Sequence, residues 1–268
     1  MIELLVQLKE VKPFKIGSWL QRCQDWKQKY PVVLPKYKES KDSVNSFYFI
    51  QVLSEKLDEE AVIVTDMGTS FTCTMQTFKT KLGQRLSTSS GHASMGFGLP
   101  GAIGACCGNN RKDTICISGD GGLQMNIQEL QTIVHYNLPI KLFVLNNKGY
   151  LTIKATQQNH FGRFVGAEES SGVTCPDIIK VATAYGLPTA TIVNTEELNM
   201  KIDSILQTPG PIVCEIIMSE NQPLIPRVSS LKKPDGTIIS KPIEDLYPFL
   251  DREEFFENMI VDPIEILK

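Results

Sequence analysis

Apolar positions in this chain fall into short unbroken runs separated by segments of helical period. Ala61-Val62-Ile63-Val64-Thr65, Thr114-Ile115-Cys116-Ile117-Ser118, Ile140-Lys141-Leu142-Phe143-Val144-Leu145 and Pro211-Ile212-Val213-Cys214-Glu215-Ile216-Ile217 are rich in β-branched and aliphatic residues. Such runs, four to eight residues long, read as strands buried on both faces. Residues 189–193 form a weaker fifth candidate. Between the runs, helical patterns are predicted over residues 44–57, 96–107, 125–136, 176–185 and 195–207, the first offering Phe47, Ile50, Val52 and Leu53 for burial. Strands alternating with helices at this spacing predict βαβ crossovers. The expected fold is therefore α/β, a parallel sheet with helices on both faces. Ligands of such sheets bind beyond the carboxyl ends of the strands. Asp66, Asp120 and Asn146-Asn147 all fall at predicted strand ends, which gathers three polar signals on one edge.

The rest of the chain organises around that domain. Residues 1–36 read as a helical lead-in, with Trp19 and Trp26 two turns apart and able to pin the helix to the main body. Residues 37–230 hold the strand and helix patterns. Residues 231–268 are rich in proline and acidic side chains and read as an extended C-terminal arm with a short helix. The chain has 268 residues and a net charge of −3, which leaves no electrostatic footprint for nucleic acid. No apolar run approaches the roughly 20 residues of a membrane span, so no membrane partner is expected. The seven cysteines contain no C-x-x-C pair. They read as free thiols, and with a start too charged for a secretory signal they point to a cytoplasmic location. An iron–sulfur site has no matching cysteine spacing.

Gly119-Asp120-Gly121 and Asn146-Asn147 carry the chemistry. A carboxylate ending one strand and a carboxamide ending the next can meet on one divalent ion. Oxygen-only ligation beside glycine-rich backbone suits Mg²⁺ carrying a diphosphate. Gly121 and Gly122 would leave backbone N–H groups open to the diphosphate at a helix start. A literal G-x-G-x-x-G occurs at residues 96–101, but it follows the polar stretch LSTSSGHAS rather than a strand, which argues against a nicotinamide or flavin dinucleotide site. Asp66-Met67-Gly68-Thr69-Ser70 follows the first strand, and Thr69 and Ser70 offer hydroxyls to phosphate oxygens; a simple turn capped by those hydroxyls is the other reading.

The Gly-Asp-Gly and Asn-Asn pair, with residues 122–145 between them, resembles the fingerprint of thiamine-diphosphate-dependent enzymes. Ser90-Gly91-His92-Ala93-Ser94-Met95-Gly96-Phe97-Gly98-Leu99-Pro100 resembles the corresponding segment of acetolactate synthase large subunits. The resemblance implies a thiamine-diphosphate-binding fold, corresponding to the C-terminal diphosphate-binding half, with residues 1–36 a remnant of the middle domain. It implies Asp120, Asn147 and the Gly149 carbonyl as Mg²⁺ ligands. Met95 would be the wedge that bends the cofactor, and the Ala93 carbonyl would accept from its 4′-amino group. Gly119, Gly121, Gly122 and Tyr150 would complete the cofactor contacts. The implied reaction is decarboxylation of a 2-oxo acid such as pyruvate and transfer of the acyl carbanion equivalent to a second carbonyl.

The chain departs from that family in places. The Gln-His-Gln run common in acetolactate synthases is replaced at Thr69-Ser70, and no tryptophan stands among residues 150–164, where Thr156 sits near the expected place. Loss of that bulk suggests a different or larger acceptor. His160 is a candidate to face the substrate, and residues 162–175 read as a loop able to close over the site. The glutamate that drives cofactor tautomerisation in the family has no counterpart here, nor has most of the flavin-binding domain, so whether FAD binds is left open. No side chain is assigned an acid–base role. The expected assembly is an enzyme completed by a pyrimidine-domain partner chain or within a homo-oligomer. The alternative is a non-catalytic cofactor-binding or assembly subunit.

Overall fold

The computed structural model describes residues 16–232 and 235–262. The first fifteen residues of the expected lead-in and the last six of the arm lie outside the described residues. Within them a six-stranded parallel sheet runs in the order β2-β1-β3-β4-β6-β5. Its strands are β1 (Val62–Thr65), β2 (Arg85–Ser87), β3 (Thr114–Gly119), β4 (Ile140–Asn146), β5 (Thr189–Ile192) and β6 (Ile212–Ile217). The five apolar runs are strands, within a residue at each end. β2 has no counterpart among them, because Arg-Leu-Ser is short, mostly exposed and on the sheet edge.

Side-chain alternation along each strand feeds two separate cores. Ile115, Ile117, Phe143 and Leu145 point to one face, where they meet Phe47, Phe49, Ile50 and Leu53 of α2 (Ser46–Lys56) and Leu198 and Ile202 of α9 (Thr195–Gln207). Cys116, Leu142 and Val144 point to the other, against Leu99 and Ala102 of α4 (Gly98–Gly108), Leu130 and Ile133 of α6 (Leu130–Tyr136) and Ile178 of α8 (Ile178–Ala184). Several helices begin at a polar side chain that caps them. Asn45, Asp177 and Asn194 each accept a backbone N–H from the first turn of the helix that follows. All seven cysteines are free. No helix among the described residues is long and apolar enough to cross a membrane.

Three helical segments differ from expectation. Thr69 and Ser70, read as phosphate contacts or as caps of a simple turn, instead open a helix not expected from the sequence, α3 (Thr69–Thr77), despite its four threonines; Cys73 packs into the first core. The pattern over residues 125–136 splits into a 3₁₀ stretch (Gln124–Glu129) and α6, with the short α5 (Asp120–Leu123) before them. Asn126 breaks it with φ −140°, and its side chain donates to the Gly96 carbonyl at 2.9 Å instead. Residues 151–160, read only as a pocket wall, form α7 (Leu151–His160).

The lead-in helix α1 (Gly17–Lys29) is exposed along its length and docks on the C-terminal segment. Trp26 Nε1 donates to Asn258 Oδ1 at 2.7 Å, and Arg22 donates to the carbonyls of Glu257 and Asn258. Trp19 makes an edge contact to Trp26 and stays half exposed, so the second tryptophan carries the docking. The C-terminal segment contains an antiparallel pair, β7 (Ser230–Lys232) with β8 (Ile238–Ser240), then α10 (Arg252–Asn258). Asp245 anchors it. Only 1% exposed, its carboxylate accepts from Arg252 on both oxygens and from Lys241 at 2.6 Å. Burial pushes its pKa up, but the two cations outweigh that and hold it below the usual carboxylate value.

Trp19 and Trp26 are the two tryptophans of the chain, so its indole emission reports this docking alone. Asp245→Ala is expected to shift emission to the red and to cost about 1–3 kcal/mol, since two cations lose a buried partner. Because the folded pKa is depressed, the ion pair contributes fully above the unfolded carboxylate pKa of about 3.9 and is lost as pH falls through the folded value. An acid titration of tryptophan emission in wild type and variant checks this; coincident curves would refute the anchor.

Candidate functional site

The parallel register brings three strand ends together. Thr65 pairs with Ile117, and Gly119 with Leu145, so the residues after β1, β3 and β4 leave the sheet on one edge. Asp66 extends the ladder by one residue, its N–H donating to the Ile117 carbonyl at 2.8 Å. Its carboxylate, 1% exposed, then gathers the neighbouring loops. It accepts from the N–H of Met67 at 2.8 Å, from the N–H of Gly96 at 3.0 Å and from the Ser118 hydroxyl at 2.9 Å. The Gly96 carbonyl is held in turn by Asn126. The loop that presents Ala93 and Met95 is thus tied to β1 and to the segment following Asp120. A Cβ on Gly98 would stand 2.8 Å from Asp66 Cβ, and one on Gly122 2.6 Å from Asp66 Oδ2. Glycine at both positions follows from the carboxylate between them.

Asp120 lies across from this clamp, 2% exposed. Oδ1 accepts from the Gly121 N–H at 2.9 Å and Oδ2 from the Gly149 N–H at 3.0 Å. Burial raises its pKa to about 6, against the lowering effect of those N–H groups. Next to it, Asn147 Oδ1 is buried and has no hydrogen-bond partner. Its neighbour Asn146 is fully engaged: Nδ2 donates to Glu215 on β6 at 2.7 Å, and Oδ1 accepts from the Lys148 N–H at 3.0 Å. Glu215 therefore fixes the turn that aims Asn147. Gly149 has φ +149°, and a Cβ there would lie 2.4 Å from the Ala167 carbonyl, so this turn also requires glycine.

Between these groups lies a cleft of about 260 Å³. Thr69, Ala93, Met95, Gly119, Asp120, Gly121, Gly122, Asn147, Gly149 and Tyr150 all line it, together with Met67, Gly68 and the start of α7. Ser70 does not. It is fully buried and its hydroxyl donates to the Met67 carbonyl, capping its own turn. The Gly121 N–H, expected to be free, is occupied by Asp120, and with the long helix broken at Asn126 only the four-residue α5 starts there. Tyr150 packs across the glycines; a Cβ on Gly121 would be 2.3 Å from its ring.

Residues 162–175 are already seated rather than poised to close. The Ala167 carbonyl accepts from the Tyr150 N–H, Gln157 bonds both the N–H and the carbonyl of Val165, and Lys154 pairs with Glu168. Thr156 is exposed, its hydroxyl bonded back to Thr152 within α7, and His160 lies at the far end of that helix, outside the cleft. Asp66 was legible only as a strand-end acid. Asn126 and Glu215 carried no sequence signal, since their partners lie 30 and 69 residues away.

The comparisons with known proteins agree with this edge of the sheet. Residues 66–216 match the family described as thiamine pyrophosphate enzyme, C-terminal TPP binding domain, which covers more than half of the chain. The chain belongs to that family. It is similar to the acetolactate synthase large subunit of Pyropia yezoensis, 35% identical over 232 residues, 86% of this chain and 38% of that protein. It is also similar to the chloroplastic acetolactate synthase 1 of Zea mays, 32% identical over 82% of this chain and 35% of that protein. A third relative is the chloroplastic acetolactate synthase 2 of Nicotiana tabacum, 33% identical over 80% of this chain and 32% of that protein. The chain thus spans about a third of the length of the relatives it matches.

The clamp makes a stability prediction. Asp66→Asn keeps the shape but turns one acceptor into a donor facing N–H and O–H groups. It is expected to lower stability by about 1–3 kcal/mol in chemical denaturation. An unchanged denaturation midpoint would show that the carboxylate does not hold these loops.

Proposed function

We propose that this chain supplies the diphosphate- and magnesium-binding half of a thiamine-diphosphate-dependent enzyme of the acetolactate synthase type. The reaction would decarboxylate a 2-oxo acid such as pyruvate and join the remaining acyl unit to a second carbonyl. The observation that carries this reading is Asn147 Oδ1, a buried acceptor without a partner beside the desolvated Asp120 carboxylate. A buried polar atom without a partner costs about 1–3 kcal/mol, which a ligand would recover.

The donor set fits a hard cation. The Asp120 carboxylate, the Asn147 carboxamide oxygen and the Gly149 carbonyl are all oxygen, as Mg²⁺ prefers. No cluster of three or more His, Cys, Asp or Glu side chains exists among the described residues, so a site here must share its metal with ligand oxygens such as a diphosphate. Gly121 and Gly122 keep side chains out of the diphosphate's way. Met95, 39% exposed, projects from a loop in which Ala93 has φ +55°. Non-glycine residues in that region are uncommon, and the Asp66 and Asn126 contacts at Gly96 are what hold the loop. The Ala93 carbonyl and the Met95 side chain would orient the cofactor's organic rings. When bound, thiamine diphosphate supplies the electron sink for the carbon that loses CO₂.

Among the described residues Asp120 is the one carboxylate lining the cleft, and the metal would occupy it. The proton-managing glutamate therefore has to come from outside these residues, from a pyrimidine-binding domain elsewhere in the same protein or on a partner chain. The same observation supports the second reading, a cofactor-binding or assembly subunit without turnover. The free thiols fit a reducing compartment such as the cytoplasm.

Calorimetric titration with thiamine diphosphate checks the first step. Binding is expected with Mg²⁺ and not with a chelator present, and Asp120→Ala or Asn147→Ala should weaken it by roughly 10–100-fold or more. Metal-independent binding, or full affinity in both variants, would sink the assignment. Pyruvate consumption on adding a pyrimidine-domain protein, absent from either component alone, separates the enzyme from the assembly subunit.

A further inference from the structure

The cofactor cleft is not isolated. Leu151 lines it and also lines a second cavity of about 360 Å³ along the flank of α7. That cavity shares Asn159, Arg227 and Tyr247 with a third, of about 370 Å³, at the far end of the helix. Through these shared lining residues the three succeed one another along α7, and the trough they make up has that helix as its common wall. From Leu151 to Asn159 a helix rises about 12 Å. The trough thus reaches well past what a three-carbon oxo acid needs.

Its far end has a definite charge. Among the described residues no carboxylate side chain lines either distal cavity, although the chain as a whole is acidic at −3. The basic side chains there are Lys154 and Arg227, with the imidazole of His160 beside them. Lys154 is neutralised by Glu168. Arg227 makes no ion pair among the described residues. Its position is nonetheless fixed. Its N–H and carbonyl both bond Tyr247, at 3.0 and 2.8 Å, and its guanidinium lies 5.3 Å from the Tyr247 ring centroid. A half-buried guanidinium, held by backbone and stacking but lacking an anionic partner, is built to receive a planar or tetrahedral oxyanion through its fork of donors. Asn159, His160, Ser229 and Ser230 surround it with further hydrogen-bonding groups.

We infer that the Arg227–His160 end of the trough seats the carboxylate or phosphate of an extended acceptor substrate, whose carbonyl end reaches the cofactor cleft along α7. This rests on the proposed function and narrows it, from any second carbonyl compound to a long anionic one.

The chain has three histidines, His92, His135 and His160, so the ring resonances of His160 can be followed in imidazole ¹H–¹⁵N spectra at constant pH. The protein is titrated with glucose 6-phosphate, glucuronate and glucose, without Mg²⁺. Saturable shifts of His160 are expected with one or both charged sugars and not with glucose; which of the two saturates first tells phosphate from carboxylate. Arg227→Gln should weaken that response roughly tenfold or more. Magnesium-dependent thiamine diphosphate binding should be unchanged in this variant. An equal response to glucose, or an undiminished response in Arg227→Gln, overturns the inference. The glucose comparison needs no variant, so it decides even if Arg227→Gln misfolds. Failure of the proposed function would appear separately, as loss of cofactor binding in the wild-type protein.

Discussion

The site depends on one buried carboxylate that does no chemistry. Asp66 leaves β1 where the ladder to β3 ends, and four hydrogen-bond contacts from Met67, Gly96 and Ser118 converge on its two oxygens. A carboxyl group away from water is tolerable only when its oxygens find hydrogen-bond partners, and here they find them in the loops that must be held. The same atoms dictate composition nearby. Gly98 and Gly122 stand so close to Asp66 that a methyl group at either would collide with it. The Ala93–Met95 loop and the Asp120–Gly122 turn are thereby locked to one another, although they belong to different crossovers of the sheet.

A comparable economy holds the central strand. β4 carries a polar anchor at each end, and both reach toward β6. At its start Lys141, 1% exposed, donates to the carbonyls of Thr208 and Gly210 just before β6, so the carbonyls meet an ammonium that burial pushes below its ordinary pKa. At its end Asn146 bonds Glu215 within β6. The pairing of Lys141 with Ile212 and of Asn146 with Ile217 shows how closely the two strands run in step. Register matters here because a slip by one residue would turn Asn147 and every core side chain of β4 to the opposite face. The Asn146–Glu215 bond and the Lys141 contacts make such a slip costly at both ends.

The sheet was legible because its central strands are buried on both faces and read as unbroken apolar runs. β2 was not, since an exposed edge strand of three residues has neither length nor pattern. α3 was hidden by its threonines, whose low helix propensity is overridden by packing of Cys73 and capping within the turn. The site residues recognisable by local spacing do converge on one cleft, with Ser70 the exception because its hydroxyl serves its own backbone. What the sequence hid were the pairs distant along the chain: Asp66 with Gly96 and Ser118, Asn126 with Gly96, Glu215 with Asn146. None has a spacing that a single sequence can flag. The break of the helix at Asn126 follows from one of them, since a side chain that bonds the Gly96 carbonyl leaves its own backbone off the helical path.

These contacts give the trough an electrostatic direction. At one end sits Asp120, a buried carboxylate whose pKa burial raises to about 6, still below neutral pH. At the other sits Arg227, permanently charged and without an anionic neighbour among the described residues. An acidic ligand approaching the metal-free cleft meets repulsion near Asp120 and attraction at the far end of α7. It therefore enters with its anionic end toward Arg227 and its neutral carbonyl end toward the cleft. A bound divalent cation would remove the repulsion but bring a diphosphate of its own charge, so the preference for a neutral reacting end persists with cofactor present. Orientation in this trough is then a property of the whole helix α7 and its two ends, rather than of any one residue in contact with the reacting carbon.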